Sequence, residues 1–227
     1  NELQSYFVKR VEQIVESKGK KLIGWDEILE GGLAPNATVM SWRGMSAGIV
    51  AAKMNHHVVM TPWDYCYLDL YQGEPEGEPP TYGLCRLSDS YNYEPVPDSI
   101  DEKYILGGQG NLWSESVPTF RHAEYMTWPR GMALAEVYWS SKANKNWTDF
   151  IMRLEKQFPR LDAANVKYSK SMYNVIFEPA RIKNSDFGVT LATEVKGLDI
   201  YYTFDNTNPD NFSPKFDGKP VQFPVGA

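Results

Sequence analysis

The chain has 227 residues, of which 42% are hydrophobic, and carries a net charge of -6. That length allows one large domain or one and a half smaller ones, with enough apolar residues for a packed core. The negative balance, without any basic stripe, excludes a nucleic-acid footprint, and no apolar run approaches the ~20 residues that a membrane span needs.

Leu3, Phe7, Val11, Ile14 and Val15 recur at helical spacing, and Gly19 stops that helix. KKLIGW (20–25) predicts a first strand and TVMSW (38–42) a second, followed by a helix over SAGIVAAKMN (46–55). HHVVMTPW (56–63) predicts a third strand and YILGGQGNLW (104–113) a fourth. One long helix is predicted over HAEYMTWPRGMALAEVYW (122–139) and another over TDFIMRLEKQFPRLDAAN (148–165). Strands alternating with helical patterns predict βαβ units and a parallel sheet, hence an α/β fold. Between the third and fourth strands lies a long loop, 64–103, containing GEPEGEPPTYG. A loop of that length in a compact domain is usually functional or disordered.

The pattern changes after Met172. VIFEPARI, GVTLATEV and LDIYYTFD are short β-rich runs, which predict the opening strands of an all-β module. Asn1 starts in what reads as mid-helix, and Gly226–Ala227 follow a strand-like stretch. Both ends read as cut, so the chain is expected to be a piece of a longer protein. Cys66 and Cys85 fall in one irregular region with no CxxC or His/Cys metal spacing; two free thiols are the expectation, with a pairing left open.

Each predicted strand end delivers distinctive groups: Trp25 with Asp26 and Glu27, Trp42 with Arg43, Tyr67 with Asp69, and Trp113 with Glu115. In a parallel barrel all carboxyl ends face one side. Indole and phenol rings with carboxylates at the rim suit a sugar, whose C–H face packs on rings while its hydroxyls need acceptors.

Five motifs, GWDEIL, SWRG, YLD (67–69), GGQGNLWSE (107–115) and EYMTWPRGMALAEVYWS (124–140), occur in an order that resembles the family-20 glycoside hydrolases, the β-N-acetylhexosaminidases. The resemblance covers roughly residues 1–170. It implies strands five to eight of a (β/α)8 TIM barrel over residues 1–172. Residues 173–227, with YYTFDNTNPD, resemble the start of the β-rich, sandwich-like domain that often follows this barrel. The resemblance further implies substrate-assisted retaining hydrolysis of terminal β-linked N-acetylhexosamine, in which the substrate's own acetamido oxygen is the nucleophile. By motif position, Trp25, Trp42 and Trp113 match the walls of the acetamido pocket. Tyr67 matches the tyrosine that donates to the acetamido oxygen, and Asp69 and Glu115 match carboxylates that bind hydroxyls or line the site. No metal and no organic cofactor are implied. The implied partners are an N-acetylhexosamine-containing glycan and an N-terminal half of the barrel, and the implied setting is extracytoplasmic.

The chain departs from the family in one respect. The catalytic Asp–Glu pair of the family stands in a His-x-Gly-Gly-Asp-Glu setting at the end of strand four, and no such motif occurs here. The pair is expected before Asn1, and the chain by itself is expected to be inactive. Asp26–Glu27 occupies the next strand end, where the family uses the tryptophan, so its expected role is to brace the loop behind Trp25. A non-catalytic carbohydrate-binding protein is the alternative; an Asp–Glu pair at the preceding strand end discriminates the two. His56, His57 and His122 show no partners at metal spacing. Arg130 and Glu136 are expected to serve buried ion pairing. GGQG (107–110) reads as a closely packed strand, not a phosphate loop. Asn36, Asn146 and Asn211 open N-x-S/T sequons. Open parallel edges are expected to promote self-association.

Overall fold

A computed structural model describes residues 1–182 and 187–224. The expectation for Gly226–Ala227 lies outside the described residues. Helix α1 (Glu2–Glu16) is followed by strand β1 (Ile23–Trp25), β2 (Thr38–Ser41), α2 (Ser46–Lys53) and β3 (Val58–Met60). The predicted loop 64–103 is not structureless: it holds α3 (Trp63–Cys66), β4 (Leu70–Tyr71), β5 (Tyr82–Leu84) and α4 (Leu87–Asn92). Then come β6 (Ile105–Gly108), α5 (Phe120–Thr127), α6 (Arg130–Trp139), α7 (Trp147–Glu155) and α8 (Phe158–Ala163).

Strands β1, β2, β3 and β6 form one parallel sheet in that order. The fold is therefore α/β, as the alternating pattern predicts. Parallel sheets are covered by the helices of their crossovers. One face obeys this: Val39, Val58 and Met60 are fully buried in a cluster with Ala51 and Ala52 of α2 and Leu134 and Val137 of α6. The other face is open, with Ile23 of β1 51% exposed and Leu106 of β6 58% exposed. The glycines of β6 have a steric reason: a Cβ on Gly108 would lie 2.2 Å from the ring of Tyr138 in α6. Of the strand predicted over GGQG, Gly107 and Gly108 lie in β6, with Gly108 closely packed, while Gln109 and Gly110 follow its end.

Three helical expectations change. The 122–139 helix is two helices, because Trp128 precedes Pro129 and takes an extended backbone (φ -102°, ψ 135°). Steric crowding by a proline ring pushes the preceding residue out of the helical region. The 148–165 helix likewise breaks between α7 and α8, where Pro159 occupies the first turn of α8. Helix α1 forms as predicted, but its apolar stripe does not face the sheet: Leu3, Phe7 and Ile14 are exposed, while Ser5 and Glu12 are buried. Polar bonds dock it instead, from Ser5 Oγ to the Gly32 carbonyl at 2.6 Å and from the Asn36 amide to Glu12 at 2.9 Å.

The β-rich tail forms an antiparallel sheet in the order β7 (Ile176–Arg181), β8 (Phe187–Ala192), β9 (Val221–Gln222). Strand β7 lies at an edge, where its Pro179 is tolerated. LDIYYTFD does not become a regular strand; it contributes only an isolated bridge, Tyr201 to Lys215. Val195 joins a core cluster with Leu87, Tyr91, Phe150 and Met172. Glu194 accepts from the Ser88 amide at 2.7 Å, and its carbonyl accepts from the Trp147 indole at 3.0 Å. Burial pushes the Glu194 carboxyl above its ordinary pKa. Both thiols are free and buried, and burial pushes Cys66 up to about 12.

Among the described residues Arg130 has no ion-pair partner, contrary to expectation. Its guanidinium is fully buried and donates to three carbonyls, Cys85 at 2.9 Å, Leu68 at 2.6 Å and Met126 at 3.0 Å. It thereby clamps both ends of the segment from Leu68 to Cys85 onto α5 and α6. Glu136 does pair, with Arg153 at 2.6 Å. Burying a guanidinium is unfavourable, and burial lowers its pKa, so the carbonyl bonds must offset desolvation. Arg130→Met fills the volume but removes those donors. It is expected to cost about 3–5 kcal/mol, read from the urea midpoint. A cost below about 1 kcal/mol would contradict the clamp.

Candidate active site

The carboxyl ends of the parallel strands bring the predicted aromatic residues together. Trp25 ends β1, Trp42 directly follows β2, and Tyr67 and Trp113 follow β3 and β6. Their rings run in series. Trp42 stacks on Tyr67 with centroids 6.3 Å apart and planes at 13°. Tyr67 meets Trp113 at 5.9 Å, and Trp113 meets Trp25 at 5.7 Å, both tilted. These four rings line a cavity of about 530 Å³, together with Glu27, Tyr82, Glu115 and Ser116. That volume suits a small-molecule site. Five of the six predicted site residues therefore line one cavity.

The sixth, Asp69, lies behind the wall. It is 2% exposed and accepts from the Tyr82 hydroxyl at 2.5 Å and from the Trp113 amide at 3.4 Å. It fixes two wall residues that come from distant parts of the chain. Tyr82 was not legible as a site residue: it opens the short strand β5 just after the Pro-Pro pair, and the clamped 68–85 segment carries it to the cavity.

Asp26 and Glu27 brace the site, and they do more than support the loop behind Trp25. They sit in a 3-10 turn, Asp26–Leu29, that leaves the end of β1. Asp26 is fully buried. It accepts from the Trp42 amide at 3.0 Å, the Arg43 amide at 3.1 Å and Arg43 Nε at 2.5 Å. Glu27 accepts from the Trp42 indole N–H with both oxygens, at 3.1 and 3.0 Å. The adjacent carboxylates thus divide the work: one pins the backbone after β2, the other orients its indole. Arg43 also bonds Glu30 at 3.0 Å, so both of its carboxylate partners come from the turn that follows β1.

Burial, and then the negative fields of Asp69, Asp26 and Glu27, hold the Tyr67 phenol above its ordinary pKa of 10.0. Tyr67 therefore remains an O–H donor through neutral and mildly alkaline pH. Burial likewise raises Tyr82, whose bond to Asp69 favours the neutral phenol. Among the described residues, no group of three His, Cys, Asp or Glu side chains could hold a metal ion. His56 instead bonds the Ala37 carbonyl at 2.8 Å. Among the described residues, no helix is long and apolar enough to cross a membrane.

Residues 1–142 match the glycosyl hydrolase family 20 catalytic domain. The chain belongs to that family. The β-hexosaminidase of Porphyromonas gingivalis (strain ATCC BAA-308 / W83) is 43% identical over 218 residues, which are 92% of this chain and 28% of that protein. The β-N-acetylhexosaminidase of Cellulomonas fimi is 29% identical over 165 residues, 70% of this chain and 33% of that protein. A crystal structure of a family-20 exo-β-N-acetylglucosaminidase from Vibrio harveyi, in complex with N-acetylglucosamine, superposes with a TM-score of 0.66 at 32% identity. The match covers 75% of this chain and 28% of that one. A family-20 β-N-acetylhexosaminidase from Streptomyces coelicolor A3(2) gives a TM-score of 0.68 at 25% identity, covering 74% and 36%. The chain thus spans about a third or less of each of these relatives.

The brace makes a testable claim. Asp26→Ala strands two backbone amides and removes one of the two carboxylate partners of Arg43, which is itself 43% exposed at the side chain. The expected loss is about 2–4 kcal/mol in chemical unfolding, with Asp26→Asn, which keeps an acceptor, losing less. Equal losses for the two variants would show that acceptance by this side chain is not what matters.

Proposed function

We propose that this chain supplies the substrate-binding walls of a β-N-acetylhexosaminidase, which hydrolyses terminal β-linked N-acetylhexosamine with retention of configuration. The observation that carries the reading is the series Trp42–Tyr67–Trp113–Trp25 around one cavity, with the carboxylates of Glu27 and Glu115 on it. An acetamido methyl group gains from burial against rings, and its oxygen needs a donor. Tyr67 is the donor. By fixing the acetamido oxygen beside the anomeric carbon, the rings and Tyr67 turn it into an oriented internal nucleophile. Attack by that oxygen forms a cyclic oxazolinium and expels the leaving group; water then opens the ring, giving net retention. Glu115 and Ser116 offer polar contacts to hydroxyls of the sugar.

The acid/base Glu and its partner Asp belong to a segment upstream of Asn1 in this reading, so this chain alone is inactive. Residues 1–172 are strands five to eight of the barrel, and residues 173–227 begin a β-rich domain. The parent protein acts outside the cytoplasm. Support for a missing barrel half comes from the open inner face at Ile23 and Leu106 and the exposed stripe of α1. Strands β1 and β6 are the outer members of the sheet, and without a neighbour they would recruit further copies.

An assay of aryl N-acetyl-β-hexosaminides tests this. The chain alone should release nothing, and the protein that includes the upstream segment should release the sugar with retention. In that longer protein, Tyr67→Phe should lower kcat about 100-fold, the scale for removing one donor to a reacting oxygen. Turnover by the chain alone that vanishes in Glu27→Gln would overturn the assignment of the acid/base. Binding without turnover by the longer protein would favour a non-catalytic sugar-binding protein.

A further inference from the structure

A second cavity, of about 520 Å³, lies between α5 and the loop that precedes β5. Arg121, His122, Tyr125 and Lys167 line it on one side, and Gly77 and Pro79 on the other. Its chemistry differs from that of the aromatic cavity. No carboxylate lines it, although the whole chain carries a net charge of -6. Arg121 is partly offset by Glu124 at 3.0 Å, which also accepts from the Lys167 backbone amide at 3.0 Å, while among the described residues no hydrogen bond or ion pair engages the Lys167 ammonium. His122 Nε2 is closed to bulk solvent and has no hydrogen-bond partner among the described residues. Arg121 and His122 sit in the first turn of α5, which contains no acidic residue and where the aligned peptide dipoles add positive potential.

The placement ties this cavity to the sugar site. Helix α5 follows β6 and so starts on the carboxyl-end side of the sheet, where the aromatic cavity opens. The loop is anchored by Gln72 Nε2 to the Tyr125 carbonyl at 2.9 Å and by Ser171 Oγ to Glu78 at 2.5 Å. Three residues after Pro79, the same loop puts Tyr82 into the aromatic cavity. Three residues span at most about 11 Å, so the two cavities are neighbours along one loop.

We propose that this cavity is an anion subsite, which receives an acidic sugar unit of the glycan beyond the terminal N-acetylhexosamine. Tyr125 offers a ring face to the sugar, and Lys167, Arg121 and His122 offer N–H donors to its carboxylate or sulfate ester. The proposal rests on the reading that the aromatic cavity binds the terminal sugar, and it narrows the substrate class to acidic glycans.

The test uses the protein that includes the upstream segment and three substrates: an N-acetylhexosamine β-linked to a neutral hexose, to a uronic acid, and to a sulfated hexose. At low ionic strength, kcat/KM for at least one charged substrate should exceed that for the neutral one by about 5- to 10-fold. The advantage should shrink as salt rises and disappear in Lys167→Glu. Which charged substrate is favoured identifies a carboxylate or a sulfate as the ligand. Equal treatment of charged and neutral substrates, or an advantage that survives Lys167→Glu, overturns the subsite. Calorimetric titration with glucuronate and with glucose 6-sulfate reads the subsite without turnover. Binding of either that is lost in Lys167→Glu, in a protein that cleaves none of the three substrates, keeps the subsite and removes the hydrolase reading. Binding of neither, together with cleavage of the neutral substrate only, removes the subsite and keeps the hydrolase.

Discussion

The buried carboxylate of Asp26 is the constraint on which the site depends. A parallel sheet places its strand ends on one side, but it does not fix how the chain leaves each strand. Asp26 does so for two strands at once, because it belongs to the turn after β1 and accepts both amides that follow β2. A charge with no exposure would be strongly unfavourable without partners. Here two backbone amides and the Arg43 guanidinium supply them. Trp25 and Trp42 therefore leave their strands in a fixed relation, and Glu27 then sets the rotation of the Trp42 indole.

The opposite wall follows the same logic on a longer scale. Asp69 holds Tyr82 and Trp113, and Arg130 holds the segment that carries Tyr67, Asp69 and Tyr82. The walls of the cavity are thus backed by charged side chains held by hydrogen bonds, although Arg130 Nε itself finds no partner among the described residues. Such an arrangement suits a site that must hold a small flexible group in one orientation, since the wall does not have to be ordered when ligand arrives. Burial, with a smaller contribution from Asp69, Asp26 and Glu27, holds the Tyr67 phenol above its ordinary pKa, so that it can donate.

Much of this was legible in the sequence, for a physical reason. The strands of the parallel sheet are short apolar runs; Trp25 ends β1 and Trp42 directly follows β2, so strand position brings them out, whereas Trp113 lies five residues past the end of β6 and was picked out by its motif. Residues whose role depends on distant partners could not. Glu27 looks like half of an acid pair until Trp42 is seen beside it. Tyr82 follows a proline-rich stretch and opens the short strand β5, and Arg130 reads as an ion-pair residue until three carbonyls surround it. The two broken helices show a different failure: apolar periodicity continues across Pro129 and Pro159, but backbone sterics do not. The apolar stripe of α1 predicts a buried face, yet the polar bonds of Ser5 and Glu12 decide which face docks.

The four-ring cavity is proposed to select an acetamido sugar. The direct measurement is tryptophan fluorescence titration of the protein containing this chain and its upstream segment, with N-acetylglucosamine and with glucose. The account predicts saturable quenching by N-acetylglucosamine, at least about 10-fold weaker binding of glucose, which lacks the acetamide that the rings and Tyr67 would hold, and loss of the difference in Trp42→Ala. Equal affinity for the two sugars, or a preference unchanged in Trp42→Ala, would contradict it.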